Sequence, residues 1–90
     1  MQVMGTNTWE FDTDREFLVA RALEFAAMVK EKGIAELLDA YIAEDTNLMW
    51  CSWETDNLEG LQAAFDEMNR QTGLTSTLTK AEEMYHAPVG

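Results

Sequence analysis

The residues of greatest chemical interest are one asparagine and three tryptophans that stand in otherwise apolar stretches. Asn7 shares the apolar side of an alternating pattern with Val3 and Trp9. A buried amide can orient a ligand, although most buried polar groups simply complete hydrogen bonds of the fold. Trp50 and Trp53 could line a cavity together with Trp9, although large aromatic rings ordinarily form core or interface. We therefore take Asn7 and the three tryptophans as candidates for the lining of a ligand cavity.

Two more candidates lie between residues 34 and 45. Asp39 and Tyr41 are two positions apart, so in a strand they share one face. There they could accept and donate protons in a cavity, or form a half-exposed surface pair. Cys51 has no basic neighbour in the sequence and is expected to be a buried, inert thiol. His86 is the single histidine and has no partner at the spacing of metal ligands, so we predict neither a metal site nor a cofactor.

No familiar catalytic motif accompanies these residues. The sequence contains no Gly-rich phosphate loop, no Cys/His cluster, no Ser-His-Asp pattern and no calcium-binding loop. No catalytic residue can therefore be assigned, and the sequence leaves open whether the protein is an enzyme.

Charge and composition exclude several classes of protein. The 90 residues include 6 Lys and Arg against 17 Asp and Glu, which gives a net charge of -11. This balance argues against nucleic acids and anionic membranes as partners. No apolar run reaches the roughly 18–20 residues of a membrane-spanning helix, and the first residues do not resemble a signal peptide. We expect a cytoplasmic protein with one domain, residues 1–90.

The first half of the chain predicts a strand, a helix and a hairpin. Alternation over residues 3–11 predicts a strand. Thr13 and Glu16 form a capping-box pattern at the start of a helix predicted over 13–32, which ends at Gly33. Two strands at 34–45 and 47–55 would then form a hairpin. A helix at 34–44 is the alternative for the first of them, because its Ala, Leu and Glu residues also favour helix.

The second half repeats this order. Asp56 and Glu59 predict the start of a helix over 57–71, which ends at Gly73, and a Thr-rich strand follows from residue 74 to 79 or 81. Two right-handed β-α-β units in one sheet give an α+β protein, a ferredoxin-like βαββαβ sandwich. Its four-stranded antiparallel sheet would have the strand order 4-1-3-2, with both helices on one face.

The third predicted strand raises the question of what covers the other face of the sheet. Trp50 and Trp53 are three positions apart and must point to opposite faces. Met49 and Cys51 add to a strand that is apolar on both sides, as in sheets covered on both faces. A large exposed apolar patch is rare on a monomer. We therefore predict a homodimer in which a second copy covers this face.

A resemblance to a known family supports this architecture. The segment 48–61 resembles the third strand and second helix of the dimeric α+β barrel superfamily, which includes proteins similar to antibiotic-biosynthesis monooxygenases. The resemblance implies a dimer with a small-molecule cavity, and Asn7 matches an asparagine that some members carry on the first strand. Haem-degrading members often have a histidine on the second helix, whereas residues 62–65 here are Gln-Ala-Ala-Phe.

Two functional hypotheses of different classes follow. The first is a small homodimeric barrel that binds an apolar or aromatic small molecule, with cofactor-free monooxygenase-like chemistry as an extension that the resemblance implies. The alternative is a non-enzymatic, acidic protein-interaction module, which the net charge of -11 suggests. A third reading is a member of the superfamily that keeps the fold and has lost the ancestral activity.

Overall fold

A computed structural model describes residues 1–89. Gly90, the last residue of the predicted tail, lies outside the described residues. The elements in chain order are β1 (Gln2–Thr8), α1 (Arg15–Glu31), β2 (Glu36–Ile42), β3 (Leu48–Glu54), α2 (Leu58–Thr72) and β4 (Thr75–Ala81). The predicted order is confirmed, and the segment after Gly33 is a strand rather than the alternative helix.

The four strands form one antiparallel sheet in the order β2-β3-β1-β4, which is the predicted order read from the other edge. β1 and β3 are central, so Gly5 of β1 lies opposite Cys51 of β3 on one side and Leu78 of β4 on the other. α1 packs near β2 and α2 near β4. The chain therefore has a ferredoxin-like α+β fold, with both helices on one face of the sheet.

Both helices begin one residue later than the capping patterns predict. Asp14, not Thr13, caps α1, and its Oδ1 accepts a hydrogen bond from the backbone N–H of Glu16 at 3.1 Å. Asn57, not Asp56, caps α2 through a 2.9 Å bond from the N–H of Gly60. The expectation was wrong because short acceptors stand at consecutive positions, and the sequence pattern does not distinguish between neighbours.

The helix ends agree with the sequence. Gly33 and Gly73 have positive φ angles of 71° and 82°, the left-handed conformation that glycine adopts without strain. Each glycine turns the chain out of its helix and into the strand that follows it.

The core between helices and sheet consists of two clusters. The larger one includes Val3, Leu61 and three aromatic rings. The rings of Phe25 and Phe65 are 4.6 Å apart, and Trp53 meets Phe65 edge-on at 5.7 Å, a favourable arrangement for aromatic pairs. The smaller cluster contains Trp9, Leu18, Met49 and Leu74. Neither helix in the described part of the chain combines the length and the apolar composition needed to cross a membrane.

Candidate ligand-binding cavity

A cavity of about 540 Å³ opens between α1 and the sheet. This volume lies within the range of roughly 300–1,000 Å³ that is typical of small-molecule sites. Most of the residues around it are apolar, and the sheet contributes its floor. The walls include Leu18, Ala22 and Phe25 of α1 and Met68 of α2, and the floor includes Asn7, Met49, Cys51 and Trp53.

The cavity exists because α1 covers the sheet incompletely. Ala22 has the smallest side chain among the α1 residues that line the cavity. Val19 and Leu23 also line the cavity, yet both remain exposed, and Leu23 keeps 56% of its surface accessible. The opening is thus bordered by apolar side chains that the core does not use.

Asn7 lies at the centre of a buried polar chain on the cavity floor. Its side chain is only 5% exposed. Its Oδ1 accepts a hydrogen bond from Ser76 Oγ at 2.5 Å, and its Nδ2 makes a long contact of 3.7 Å with Cys51 Sγ. Ser76 Oγ also lies 3.1 Å from Oδ1 of Asn69 on α2. The carboxamide is thereby held in place, while its amide nitrogen is only weakly engaged by sulfur.

Cys51 is the other end of this chain, and its surroundings keep it a neutral thiol. Burial raises the pKa of the Cys51 thiol above its usual 9.0, and hydrogen bonds from Trp53 and Asn7 offset part of this effect. The Trp53 Nε1–H donates to the sulfur at 3.0 Å. The sulfur also lies against Gly5, where a Cβ atom would meet it at 2.6 Å. The thiol is therefore suited to packing and hydrogen bonding, and poorly suited to nucleophilic attack.

One cationic side chain borders the cavity, and the sequence did not single it out. Arg21 of α1 lines it, whereas none of the 17 acidic residues, all of which lie in the described part of the chain, does. The signal was available in the helical spacing, because Arg21 is four residues from both Phe17 and Phe25 and so follows the same row of the helix. Ser76 and Asn69 were also missed, since polar residues of this kind occur throughout the sequence.

The structure brings some of the predicted site residues together and separates others. Asn7 and Trp53 share the cavity floor. Trp50 and Tyr41 border the cavity, but strand alternation points their exposed side chains to the opposite face, so we do not assign them to its floor. Trp9 is buried in the smaller cluster and does not line the cavity.

Asp39 is outside the cavity as well. It lies opposite Ser52 across the β2–β3 pair and accepts a hydrogen bond from Ser52 Oγ at 3.4 Å. Its exposed side chain is on the face of the sheet that the helices leave uncovered.

This uncovered face, hereafter the open face, has an aromatic centre, with Met4, Asp39 and several threonines around it. Tyr41 lies opposite Trp50, and Trp50 lies opposite Thr6 of β1, so one row crosses three strands. Trp50 is 41% exposed, in contrast with 2% for Trp53 on the helix side. The prediction that these two tryptophans point to opposite faces is therefore confirmed. Threonines of β1 and β4 make up much of the rest of the open face.

The remaining titratable groups lie away from the cavity. His86 is in the tail, where its Nδ1 is 3.2 Å from Oε1 of Glu83. All 17 acidic side chains are exposed, and they occur on both helices, on β2 and β3, in the loops and in the tail. Within residues 1–89, no group of three or more His, Cys, Asp or Glu side chains could hold a metal ion.

Comparisons with known proteins add no further assignment: no protein-family model matches the chain, and no curated protein matches it. The functional case consequently depends on the cavity and on the open face.

Proposed function

We propose that this protein binds a small, largely apolar molecule in the cavity between α1 and the sheet. The observation that carries the proposal is a space of about 540 Å³ with an apolar wall and a fixed polar group, Asn7, on its floor. Ligand sites in proteins typically combine an apolar lining with a few placed polar groups. The weakly engaged amide nitrogen of Asn7 is available to donate to a ligand that carries an oxygen at its inner end.

Binding without catalysis is the form of this proposal that the cavity supports. Among the described residues, those around the cavity include no Asp, Glu, His or Lys to accept a proton. The Cys51 thiol stays protonated because burial raises its pKa. The monooxygenase-like chemistry implied by the family resemblance stays a prediction.

A fluorescent probe tests the binding proposal. Purified protein is titrated with the neutral dye N-phenylnaphthylamine, whose emission rises in apolar surroundings. Ala22→Phe would fill the cavity, whereas Ala27→Phe adds the same ring at an exposed position of α1 that does not line it. We expect saturable binding to the wild type and to Ala27→Phe, and at least tenfold weaker binding to Ala22→Phe. Equal binding to both variants would exclude the cavity as the site.

A second copy of the chain is the proposed partner of the open face. Tyr41 and Trp50 form an exposed aromatic pair there, and the row that continues through Thr6 to Thr77 carries no charge. In a protein with a net charge of -11, such a row is where two copies can approach with the least repulsion. A two-fold axis through this row would bring both aromatic pairs together.

Sedimentation velocity measures this association directly. We expect a dimer for the wild type and a monomer for Trp50→Glu, which places a charge at the centre of the open face. Ala27→Glu, at an exposed position of α1 on the other side of the sheet, introduces the same charge away from the open face and should remain a dimer. A monomeric wild type over the micromolar range would exclude the dimer and leave the ligand cavity unaffected.

The alternative function, an acidic module that docks on a basic protein, draws on the net charge alone. The acidic side chains are spread over many elements rather than gathered on one of them. Such a distribution is what solubility requires, and no particular surface favours docking.

A further inference from the structure

The single positive charge among the described residues of the cavity lining suggests what kind of polar group the ligand carries. The chain carries 17 acidic and 6 basic residues, yet Arg21 is the one charged residue that lines the cavity within the described part of the chain. We propose that the ligand is an amphipathic monocarboxylate, with its apolar body on the cavity floor and its carboxylate on Arg21. This inference rests on the proposed function and specifies the class of ligand for the same site.

The Arg21 guanidinium is free to accept such a partner. Among residues 1–89 it makes no hydrogen bond, and its one ion pair joins Nη1 to Oε2 of Glu24 at a loose 3.9 Å. Glu24 is itself 71% exposed, so this pair is weak. Five N–H donors in a planar fork match a carboxylate in a bidentate arrangement.

The position of Arg21 suits a ligand that is apolar at one end and charged at the other. Its side chain is 41% exposed, which places the group at the boundary between the cavity and water. An arginine of this kind lays its aliphatic stem along apolar surface and keeps its charged end in solvent. A carboxylate bound there would keep part of its hydration, so its desolvation cost stays low.

A neighbouring groove between the two helices, which Arg21 also borders, offers no comparable site. Glu24 and Glu67 line that groove together with Arg21 and Lys32. Two acidic and two basic groups give no net attraction for an anion. The cavity, in contrast, has Arg21 as the one charged residue of its lining among the described residues.

The net charge of the protein does not prevent this binding. Exposed charges farther apart than about 8 Å are largely screened at physiological ionic strength. The binding free energy of a carboxylate in contact with Arg21 therefore depends mainly on that contact and on the groups near it. A single free cation also matches one negative charge better than two, which favours a monocarboxylate over a dianion.

Three ligands of equal chain length test the proposal through displacement of N-phenylnaphthylamine. Decanoate, decanol and decylamine share one apolar body and differ in the charge of the head. We expect decanoate to bind wild-type protein about tenfold more tightly than decylamine, the usual effect of a charge-assisted hydrogen bond. Arg21→Gln should remove this preference, with a larger loss of affinity for decanoate than for decanol.

A matched control separates the local contact from net charge. Arg70→Gln removes one positive charge from the exposed side of α2, where Arg70 pairs with Glu67, and should keep the preference for decanoate. Equal binding of decanoate and decylamine to the wild type would overturn the inference, as would a preference that survives Arg21→Gln. Decanol binding would in either case still support the apolar site. Failure of all three ligands to displace the dye would overturn the proposed function itself.

Discussion

The two helices pack on the same face of the same sheet, but they use their apolar residues differently. α2 buries Leu61 and Phe65, and no large apolar side chain is exposed along its length, Leu58–Thr72. α1 buries Leu18, Phe25 and Val29, yet exposes Phe17, Val19 and Leu23. α2 is therefore an ordinary amphipathic helix, whereas α1 is apolar on more than its buried stripe.

This difference supports the proposal of a binding site on the α1 side of the molecule. The surplus apolar residues of α1 do not lie at random, because all three line the cavity. A helix that served only to cover the sheet would have polar residues at these positions. α2 uses its large apolar residues to stabilise the fold. α1 uses some of them in the core, and others line an accessible apolar cavity.

The largest expected effect comes from truncating one phenylalanine on each helix, which tests whether the two helices contribute differently to stability. Phe65→Ala removes a ring that is 2% exposed and packed against Phe25 and Trp53, and should lower the free energy of unfolding by about 3–5 kcal/mol. Phe17→Ala should change it by less than about 0.5 kcal/mol, because that ring is 57% exposed. Urea unfolding measures both, and similar losses would refute the distinction between the helices.

The floor beneath the cavity should be tightly packed, although the space above it is not filled. Gly5→Ala would place a methyl group 2.6 Å from Cys51 Sγ. We expect it to cost about 1–3 kcal/mol of stability, the usual effect of overpacking. Combining it with Cys51→Ala should recover part of this loss in a double-mutant cycle. Additive effects of the two substitutions would show that the contact is not the cause.

The two helix caps should contribute similarly to stability, even though the two helices bury their apolar residues differently. Asn57→Ala and Asp14→Ala each remove one hydrogen bond to a free backbone N–H, and each should cost about 1 kcal/mol. Thr13→Ala and Asp56→Ala are the neighbouring controls and should cost less. A larger loss at Thr13 or Asp56 would restore the helix starts predicted from the sequence.

The smallest expected effect is a dependence of stability on pH. Because the pKa of Cys51 is raised in the folded state, its contribution to stability is complete below pH 9.0 and falls as pH rises through the folded-state pKa. Wild-type protein should therefore lose stability faster than Cys51→Ala between pH 9 and the onset of general alkaline unfolding. Chemical denaturation at stepped pH compares the two slopes, and parallel slopes would mean that the thiol ionises as freely as in the unfolded chain.

The fold could be predicted from the sequence much more fully than the cavity. Gly33 and Gly73 mark the ends of the two helices. The alternation of apolar and polar residues around Asn7 shows which face of β1 is buried. These signals are local. The cavity is lined by residues of both helices and of the sheet, and no local pattern in the sequence shows how these elements pack together.

The individual site residues show the same limit. The burial of Asn7 and Trp53 could be predicted, because alternate residues of a strand point to opposite faces and each position therefore belongs to one known face. The helical spacing places Arg21 on the row of Phe17 and Phe25, but its importance could not be predicted, since among the described residues it is the one charge on the cavity wall. Trp9 was misleading for the converse reason: its spacing predicts burial correctly, but not which of two clusters it joins.

The most direct test of the central claim is a nuclear magnetic resonance titration of ¹⁵N-labelled protein with decanol. Trp53 lines the cavity and Trp9 does not, so the two indole N–H signals form an internal comparison. We predict that the Trp53 indole and the Asn7 side-chain amide signals shift with a common, saturable dependence on decanol, while the Trp9 indole signal stays in place. Shifts that leave Trp53 and Asn7 unchanged would contradict a ligand site between α1 and the sheet.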